Sequence, residues 1–218
     1  MSETPLQAAL PRAPRAPSRS FDPKEAKARA IAWAVAFARN PLNIVLDTET
    51  LGVEHASGIC DIGIITIGGD VLIDQLVNPG RSIPSGATAI HGIADADVWE
   101  SPTWETIYPE IADIVFSRTS DQITAFNASF DAGVINACCV AAQLPELAFE
   151  WPCAMKAHAD FAGVVGKYGT PKWWRLEDAA RSFGIEPGGH RALADARAAR
   201  GVILAMAAAG NEEGTPGE

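Results

Sequence analysis

The tetrapeptide Asp47-Thr48-Glu49-Thr50 directly follows a short apolar run at residues 42–46. That run predicts a buried strand, and because side chains alternate between the two faces of a strand, Asp47 and Glu49 should project from the same side. Two carboxylates side by side at the end of a core strand repel each other, and a buried charge is costly. A divalent cation would relieve the repulsion. The tetrapeptide therefore indicates either a metal site or a pair of solvated acids at a strand end.

The composition indicates a single globular domain. The chain has 218 residues, of which 48% are hydrophobic, enough to fill one core. Its longest apolar runs, residues 31–38 and 202–209, are eight residues each, far shorter than a membrane span. The N-terminus lacks the apolar core of a signal peptide, and the four cysteines show neither CxxC nor zinc spacing. We therefore expect a cytoplasmic protein with no membrane partner.

The net charge of −10 argues at first sight against nucleic acid as a partner. The charges are unevenly distributed, however, because residues 156–200 contain eight Lys/Arg against five acidic residues. An enzyme that binds one end of a strand needs only a local basic rim. Net charge alone therefore leaves the partner open.

The hydrophobic pattern predicts an α/β domain with a mixed sheet flanked by helices. We expect strands at residues 42–47, 60–67, 71–77 and 122–125, with a further short strand at 149–152. Helices are expected at 22–39, 101–117, 129–143, 153–165, 176–183 and 192–209, and the segment 83–98 is expected to be irregular or briefly helical.

These elements divide the chain into four parts. Residues 1–21, rich in Pro, Arg and Ala, are expected to be disordered, and residues 22–40 form an N-terminal helix capped by Asp22. Residues 41–209 form the main domain. The polar, Gly-rich residues 210–218 are expected to be a disordered tail.

Two further clusters contain candidate site residues. Asp131 follows a short predicted strand and falls in the first turn of a helix, where it could serve a metal or simply favour the helix dipole. His190 follows a Gly188-Gly189 pair and precedes Asp195 by five residues. The glycine pair indicates a mobile histidine suited to proton transfer, and the alternative is a capping histidine beside a solvated acid.

Three motifs follow one another along the chain: Asp47-Thr48-Glu49, then Asn127-Ala128-Ser129-Phe130-Asp131, then His190-Arg191-Ala192-Leu193-Ala194-Asp195. Together they resemble the motifs of the DEDDh-type 3′–5′ exonucleases, the DnaQ-like branch of the ribonuclease H-like superfamily, and most closely those of the proofreading ε subunit of DNA polymerase III and its stand-alone relatives. Two further elements, at residues 61–63 and 90–95, also match this pattern, and the likeness extends over residues 42–205. The resemblance implies a sheet with a three-stranded antiparallel meander plus parallel strands, flanked by helices.

The resemblance implies a two-metal site. Hard cations such as Mg²⁺ or Mn²⁺ prefer carboxylate oxygens, and two of them can activate water and stabilise the leaving oxygen. By resemblance, Asp47 would bridge both ions, and Glu49 and Asp195 would hold the ion that carries the attacking water. Asp131 would support the second ion, and His190 would take the proton from the water.

The resemblance also implies substrate contacts. The backbone near Thr50 and Leu51 would contact the terminal nucleotide, and Leu51 would wedge against its base unless it packs on the core. His91 would reach a phosphate or the 3′ end. Asn127 and Phe130 belong to the motif that contains Asp131, and both would contact the substrate. Phe130 would stack on a base unless it belongs to the core.

A second aromatic feature lies nearer the C-terminus. Trp173 and Trp174, between Lys172 and Arg175, have the composition of a strand-binding rim, although at least one of the two is expected to be buried in packing.

The chain is thus predicted to be a metal-dependent 3′–5′ exonuclease that hydrolyses phosphodiester bonds in single-stranded nucleic acid, DNA more than RNA, and releases nucleoside 5′-monophosphates. A DNA polymerase or a repair complex is a candidate partner. The alternatives are an RNA-trimming exoribonuclease of the same fold, a non-catalytic nucleic-acid-binding protein, and another carboxylate-metal hydrolase such as a phosphatase.

Overall fold

A computed structural model describes residues 21–147 and 150–212. The strands are β1 (Ile44–Thr50), β2 (Ile59–Thr66), β3 (Val71–Leu76) and β4 (Ile123–Thr124). The helices are α1 (Pro23–Ala38), α2 (Ser85–His91), α3 (Asp95–Val98), α4 (Trp104–Phe116), α5 (Ala128–Ala141), α6 (Ala154–Ala162), α7 (Leu176–Ser182) and α8 (Ala192–Glu212). Short 3₁₀ turns occur at His55–Ser57 and Ser120–Gln122.

The four strands form one mixed sheet in the order β3-β2-β1-β4. β1 pairs antiparallel with β2, β2 pairs antiparallel with β3, and β4 runs parallel to β1. This confirms the predicted α/β class with an antiparallel meander. Of the further strand expected at 149–152, residue 149 lies outside the described residues and residues 150–152 have no regular structure. The next residue, Cys153, makes an isolated parallel bridge to Ala125.

The centre of the sheet is buried on both faces. All eight residues of β2 are buried, as expected for a central strand covered by helices on two sides. Leu46 on β1 belongs to the core shared with α4 and α5, whereas Val45 belongs to the core shared with α1, α6 and α8. Because faces alternate along a strand, Asp47 and Glu49 lie on the Val45 side, toward α8.

The predicted N-terminal helix is present as α1. Asp22 is its N-cap, with the carboxylate accepting hydrogen bonds from the backbone N–H groups of Lys24 (2.9 Å) and Glu25 (3.3 Å). The buried face of α1, which includes Ala34 and Phe37, packs against the α8 side of the sheet. This helix is therefore part of the fold rather than an appendage.

The C-terminal ends of two helices differ by three residues from the predictions. α6 ends at Ala162 rather than residue 165, because Gly163 adopts the left-handed conformation that terminates helices (φ 65°). α8 continues to Glu212, so the expected tail from residue 210 begins as helix. The segment 83–98 contains two short helices, in agreement with one of the two forms expected for it. The segments 1–20 and 213–218, predicted to be disordered, lie outside the described residues.

No helix in the described part of the chain combines the length and the apolarity needed to cross a membrane.

Candidate active site

The acids of β1 lie where that strand meets the start of α8. Asp47 pairs in register with Gly63 and Glu49 with Asp61 on β2. Gly63 has no side chain, and a Cβ at that position would collide with the backbone nitrogen of Leu193. The missing side chain therefore lets the first turn of α8 lie directly against β2, beside both carboxylates.

Asp131 reaches the same region from α5. It lies in the first helical turn, as predicted, and is 3% exposed. Its Oδ1 accepts hydrogen bonds from the backbone N–H of Thr48 (3.1 Å) and from the Thr48 hydroxyl (2.9 Å). Thr48, which lies between Asp47 and Glu49 in the sequence, therefore fixes the Asp131 carboxylate to β1.

Asp195 and His190 complete the cluster. Asp195 lies in the first turn of α8, and its Oδ2 is 4.0 Å from His190 Nδ1. His190 Nε2 lies 3.0 Å from Glu177 Oε1 of α7. His190 has a left-handed backbone (φ 60°), which is uncommon for a residue with a side chain and costs about 1–2 kcal/mol.

The glycine pair before His190 has a structural reason that the sequence did not reveal. A Cβ at Gly188 would collide with both the Oδ1 and the backbone nitrogen of Asp195. Gly189 has a φ of 70°, in the region that glycine adopts without strain. The pair allows the loop to pass against Asp195, and the mobility predicted for it stays a prediction.

The electrostatics of the cluster are those of crowded acids. Burial, and then the charges of Asp131, Asp195 and Glu49, raise the pKa of Asp47 well above its usual value. Burial and the neighbouring acids Asp195, Asp61 and Asp131 raise the pKa of Glu49 to about 8. Burial raises the pKa of Asp131 to about 7, partly opposed by the hydrogen bonds from Thr48. The pKa of Asp195 is also raised, first by burial.

This donor set fits a divalent cation. Ligand atoms of Glu49, His190 and Asp195 lie within 4.8 Å of one another. Acids that raise each other's pKa are stabilised as carboxylates when a cation binds between them, and oxygen donors are those that Mg²⁺ and Mn²⁺ prefer. The residues present therefore suit a hard divalent metal ion.

The cluster opens into a cavity of about 670 Å³. Its lining includes the side chains of Asp47, Glu49, Asp131, His190 and Asp195. The five residues that sequence reasoning selected as metal ligands and general base are thus brought to one open site.

Residues 44–202 match the family described as Exonuclease (RNase_T). The chain belongs to the exonuclease family. This confirms the resemblance to DEDDh-type, DnaQ-like exonucleases and the predicted enzyme class, a hydrolase acting as a 3′–5′ exonuclease.

Two curated relatives and one solved structure give the extent of the similarity. The exonuclease is 35% identical over 175 residues to uncharacterized exonuclease CP81 of Escherichia phage 186, covering 77% of this chain and 89% of the phage protein. It is 38% identical over 104 residues to DNA polymerase III subunit epsilon of Buchnera aphidicola, covering 43% of this chain and 42% of that subunit. The structure of Exonuclease X in complex with 5′ overhanging duplex DNA is 30% identical, with a TM-score of 0.51, covering 77% of this chain and 92% of that one.

The predicted substrate contacts of the exonuclease divide into two groups. Asn127 and Phe130 line the cavity. Asn127 is exposed and makes no side-chain capping hydrogen bond to α5, although it occupies the N-cap position. Phe130 is half-buried, packing partly against the core and 5.9 Å from the His55 ring. Both interpretations of Phe130, core and substrate contact, therefore remain compatible with its position.

The other group lies beside the cavity rather than along its lining. Leu51 is buried in a small apolar cluster with Cys60 and Ile93, so packing accounts for it. His91 is buried, and its Nδ1 accepts a hydrogen bond from the backbone N–H of Ile93 (3.1 Å). The Thr50 hydroxyl donates to the Gly52 carbonyl (2.7 Å). Roles for these three in binding the terminal nucleotide stay predictions.

Several lining residues were missed as site residues. Phe126 (directly before Asn127), Met155, and the adjacent Leu176 and Glu177 come from three separate stretches of sequence, so only the fold brings them together. Ile90, which precedes His91, also lines the cavity.

A buried acid outside the cavity positions the site. Asp61 is fully buried, and its Oδ2 accepts hydrogen bonds from Arg191 Nε (2.8 Å) and from the backbone N–H of Ala192 (3.2 Å). It therefore satisfies a free N–H group at the start of α8, next to His190. The acidic-Ile-Gly pattern at 61–63 was the available signal, but its partner could not be read from the sequence.

Proposed function

We propose that this exonuclease removes nucleotides from the 3′ end of single-stranded nucleic acid, with DNA as the preferred substrate, and releases nucleoside 5′-monophosphates. The observation that supports this most directly is the meeting of four carboxylates and one histidine in one open cavity. A two-metal hydrolysis needs that set of donors together with a site accessible to a strand end.

Each residue has a proposed role. Asp47, Glu49, Asp131 and Asp195 would hold two divalent cations, Mg²⁺ or Mn²⁺, and Asp47 would contribute to both. When bound, the cations supply a water of lowered pKa and charge stabilisation at the leaving 3′-oxygen. His190 would accept a proton from the attacking water, acting as general base.

The cluster also has its own positioning groups. Thr48 orients the Asp131 carboxylate through two hydrogen bonds. Glu177, 3.0 Å from His190 Nε2, holds the imidazole at the edge of the cavity. The left-handed backbone of His190 is a strained position, which favours rearrangement of this residue when substrate enters.

The preference for DNA rests on one relative. Exonuclease X, at 30% identity over most of this chain, is described in complex with duplex DNA carrying a 5′ overhang. In such a duplex the recessed strand ends in a 3′ terminus. A polymerase or repair complex as partner, and a cytoplasmic location, stay predictions.

The test is digestion of single-stranded DNA and RNA labelled at either end, with Mg²⁺, with Mn²⁺ or with a chelator. We expect a 3′ label to be released first as a mononucleotide, and a 5′-labelled strand to shorten stepwise, only with metal. The Asp47→Ala variant, measured beside the wild type, controls for contaminating nucleases and should be inactive.

Two results would contradict the proposal. One is the absence of metal-dependent shortening from the 3′ end of either polymer. The other is the same rate for Asp47→Ala as for the wild type.

A further inference from the structure

A hairpin links α6 to α7 beside the cavity. We call residues 164–175 the aromatic hairpin. Its arms are joined by backbone hydrogen bonds from Gly166 N–H to the Thr170 carbonyl (2.7 Å) and from Lys172 N–H to the Val164 carbonyl (2.8 Å). Gly169, in the turn, has a φ of 72°. The hairpin thus replaces the end of the helix that the sequence predicted to run to residue 165.

The exposed side chains of this hairpin are unusual for a protein surface. Tyr168 is 82% exposed and Trp173 is 62% exposed, although large aromatic rings usually bury most of their area. Val164 and Val165 are also exposed. An exposed group of large apolar side chains is typical of a binding surface.

The charge of the hairpin is opposite to that of the whole molecule. Residues 164–175 contain Lys167, Lys172 and Arg175 and no Asp or Glu, in a chain of net charge −10. Lys167 Nζ lies 5.6 Å from the centre of the Tyr168 ring. Lys172 Nζ lies 5.3 Å from the centre of the Trp174 ring. Basic and aromatic side chains are therefore interleaved along one short segment.

The hairpin is continuous with the catalytic cavity. Its last two residues, Trp174 and Arg175, line the same cavity as Asp47 and Asp195. Trp174 is anchored by packing on the α8 side of the core and against the His158 ring (5.6 Å between centroids). Trp173 directly precedes Trp174 in the chain. Tyr168 is five residues before Trp173, so the two lie at most about 17 Å apart.

We propose that the aromatic hairpin is a stacking platform for the single strand that leads into the cavity, and that it contacts the nucleotides preceding the 3′ terminus. This rests on the proposed function, because it requires a strand whose 3′ end reaches the carboxylate cluster. Tyr168 and Trp173 stack on bases, and Lys167, Lys172 and Arg175 neutralise phosphates. Aromatic and basic side chains on one surface provide the two contacts, stacking and phosphate neutralisation, that sequence-tolerant binding of single strands needs. Stacking uses the face that every base has, so the platform accepts both DNA and RNA.

The test measures binding separately from cleavage. The full chain with His190→Ala, in Mg²⁺, is titrated with fluorescent single-stranded DNA and RNA of about 12 nucleotides, a length within the usual site size of strand binders. Adding Trp173→Ala should raise Kd about fivefold or more for each polymer that binds. Adding Lys172→Ala should reduce the slope of log Kd against log salt by about 0.7, the value for one lost phosphate contact on a single strand.

A matched control is available at the other end of β1. Phe116 is also an exposed aromatic residue, and Arg118, two residues further along, donates to the Leu42 carbonyl just before β1 begins. Phe116→Ala should leave Kd unchanged. In the active enzyme, Trp173→Ala should lower kcat/KM for the long strand more than for a dinucleotide, because only the long strand reaches the platform.

The outcomes separate the two proposals. Equal Kd for Trp173→Ala and its parent, with a wild type that cleaves 3′ ends, would overturn the platform and leave the proposed function intact. Weakened binding in Trp173→Ala with no cleavage by the wild type would support the platform and overturn the proposed function. A chain that binds neither polymer would overturn the platform, and the proposed function would then be decided by whether the wild type cleaves 3′ ends.

Discussion

At the scale of single residues, the main feature is four acids sharing one largely buried space. Glu49 exposes 9% of its surface and Asp195 exposes 8%. Burial raises the pKa of all four, and the charges of the other acids raise the pKa of Asp47 and Glu49 further. A cation bound between the acids would neutralise their mutual repulsion and would compensate for the water lost on burial. The site is therefore less stable as an ionised cluster than as a protonated or metal-bound one.

This difference predicts how the metal-free protein responds to pH. In the folded state the pKa of Glu49 is about 8 rather than 4.5, and that of Asp131 is about 7 rather than 3.8. The folded protein therefore retains protons that the unfolded chain has lost, and the free energy of unfolding falls as pH rises from about 4 to 8. Each retained proton costs about 1.4 kcal/mol per pH unit in that window. Tm measured in chelator should fall from about pH 5 to pH 8.

Metal should reverse that trend, because Mg²⁺ and Mn²⁺ bind the deprotonated carboxylates. The gain in Tm on adding metal should be larger near pH 8 than near pH 5. Glu49→Gln removes one titrating group, so its Tm in chelator should depend less on pH. A wild-type Tm in chelator that rises from pH 5 to pH 8 would contradict the raised pKa values assigned to these acids.

The acids and the histidine could be identified from sequence because each lies in a short motif with its own chemistry. Their supporting contacts could not. Thr48 lies between two site residues, yet its bond to Asp131 joins positions 83 residues apart. Glu177 contacts His190 only because α7 and α8 pack together. Leu51 shows the opposite case, since a loop residue with a plausible substrate role is buried in packing.

At the scale of elements, the start of α8 determines the geometry of the site. It bears Asp195, follows His190, is bound by Asp61 through Ala192 N–H, and lies against Gly63. The sequence predicted the helix itself from its apolar pattern. It did not reveal that a glycine on β2 allows the close contact, because that requires the distance between two backbones.

Gly63→Ala tests this contact. The added Cβ would meet the backbone of α8, which cannot move as a side chain can, so we expect a loss of about 2 kcal/mol or more in unfolding free energy. Turnover should fall as well, because Asp195 moves with the helix. Denaturant unfolding and initial rates measure the two effects.

Gly86→Ala is the matched control. Gly86 lies on α2, and an alanine Cβ at this position would have no atom within 4 Å, so the substitution should be neutral or should stabilise by about 0.5–1 kcal/mol. Equal stability of the two variants would contradict the close packing of α8 on β2.

At the scale of the whole molecule, the family match begins at residue 44, after α1. α1 nevertheless packs its buried face on the core shared with α6 and α8, and a Cβ at Gly210 near the end of α8 would lie 2.6 Å from Ile31 Cγ2. The sequence predicted this helix from Asp22 and Pro23. Its contribution to the core was not predicted, because its apolar residues are spread loosely around the helix.

Phe37→Ala tests whether α1 stabilises the domain. Phe37 is 3% exposed and stacks with Trp33 at 5.5 Å, so its loss should reduce the unfolding free energy by about 3 kcal/mol. The rate of cleavage should persist at temperatures where the variant is folded, because the residue lies outside the site. Arg29→Ala on the same helix, which removes exposed ion pairs of 3.8–3.9 Å, should change stability by less than about 0.5 kcal/mol.

The central claim is that four acids bind metal while His190 moves a proton, in one catalytic centre. The most direct measurement compares His190→Ala with the wild type at a series of Mg²⁺ concentrations, following both the metal-induced gain in Tm and single-turnover cleavage of a 3′-labelled strand. We predict a similar gain in Tm for both proteins and a cleavage rate at least about 100-fold lower in His190→Ala. A variant that cleaves at the wild-type rate would contradict this claim.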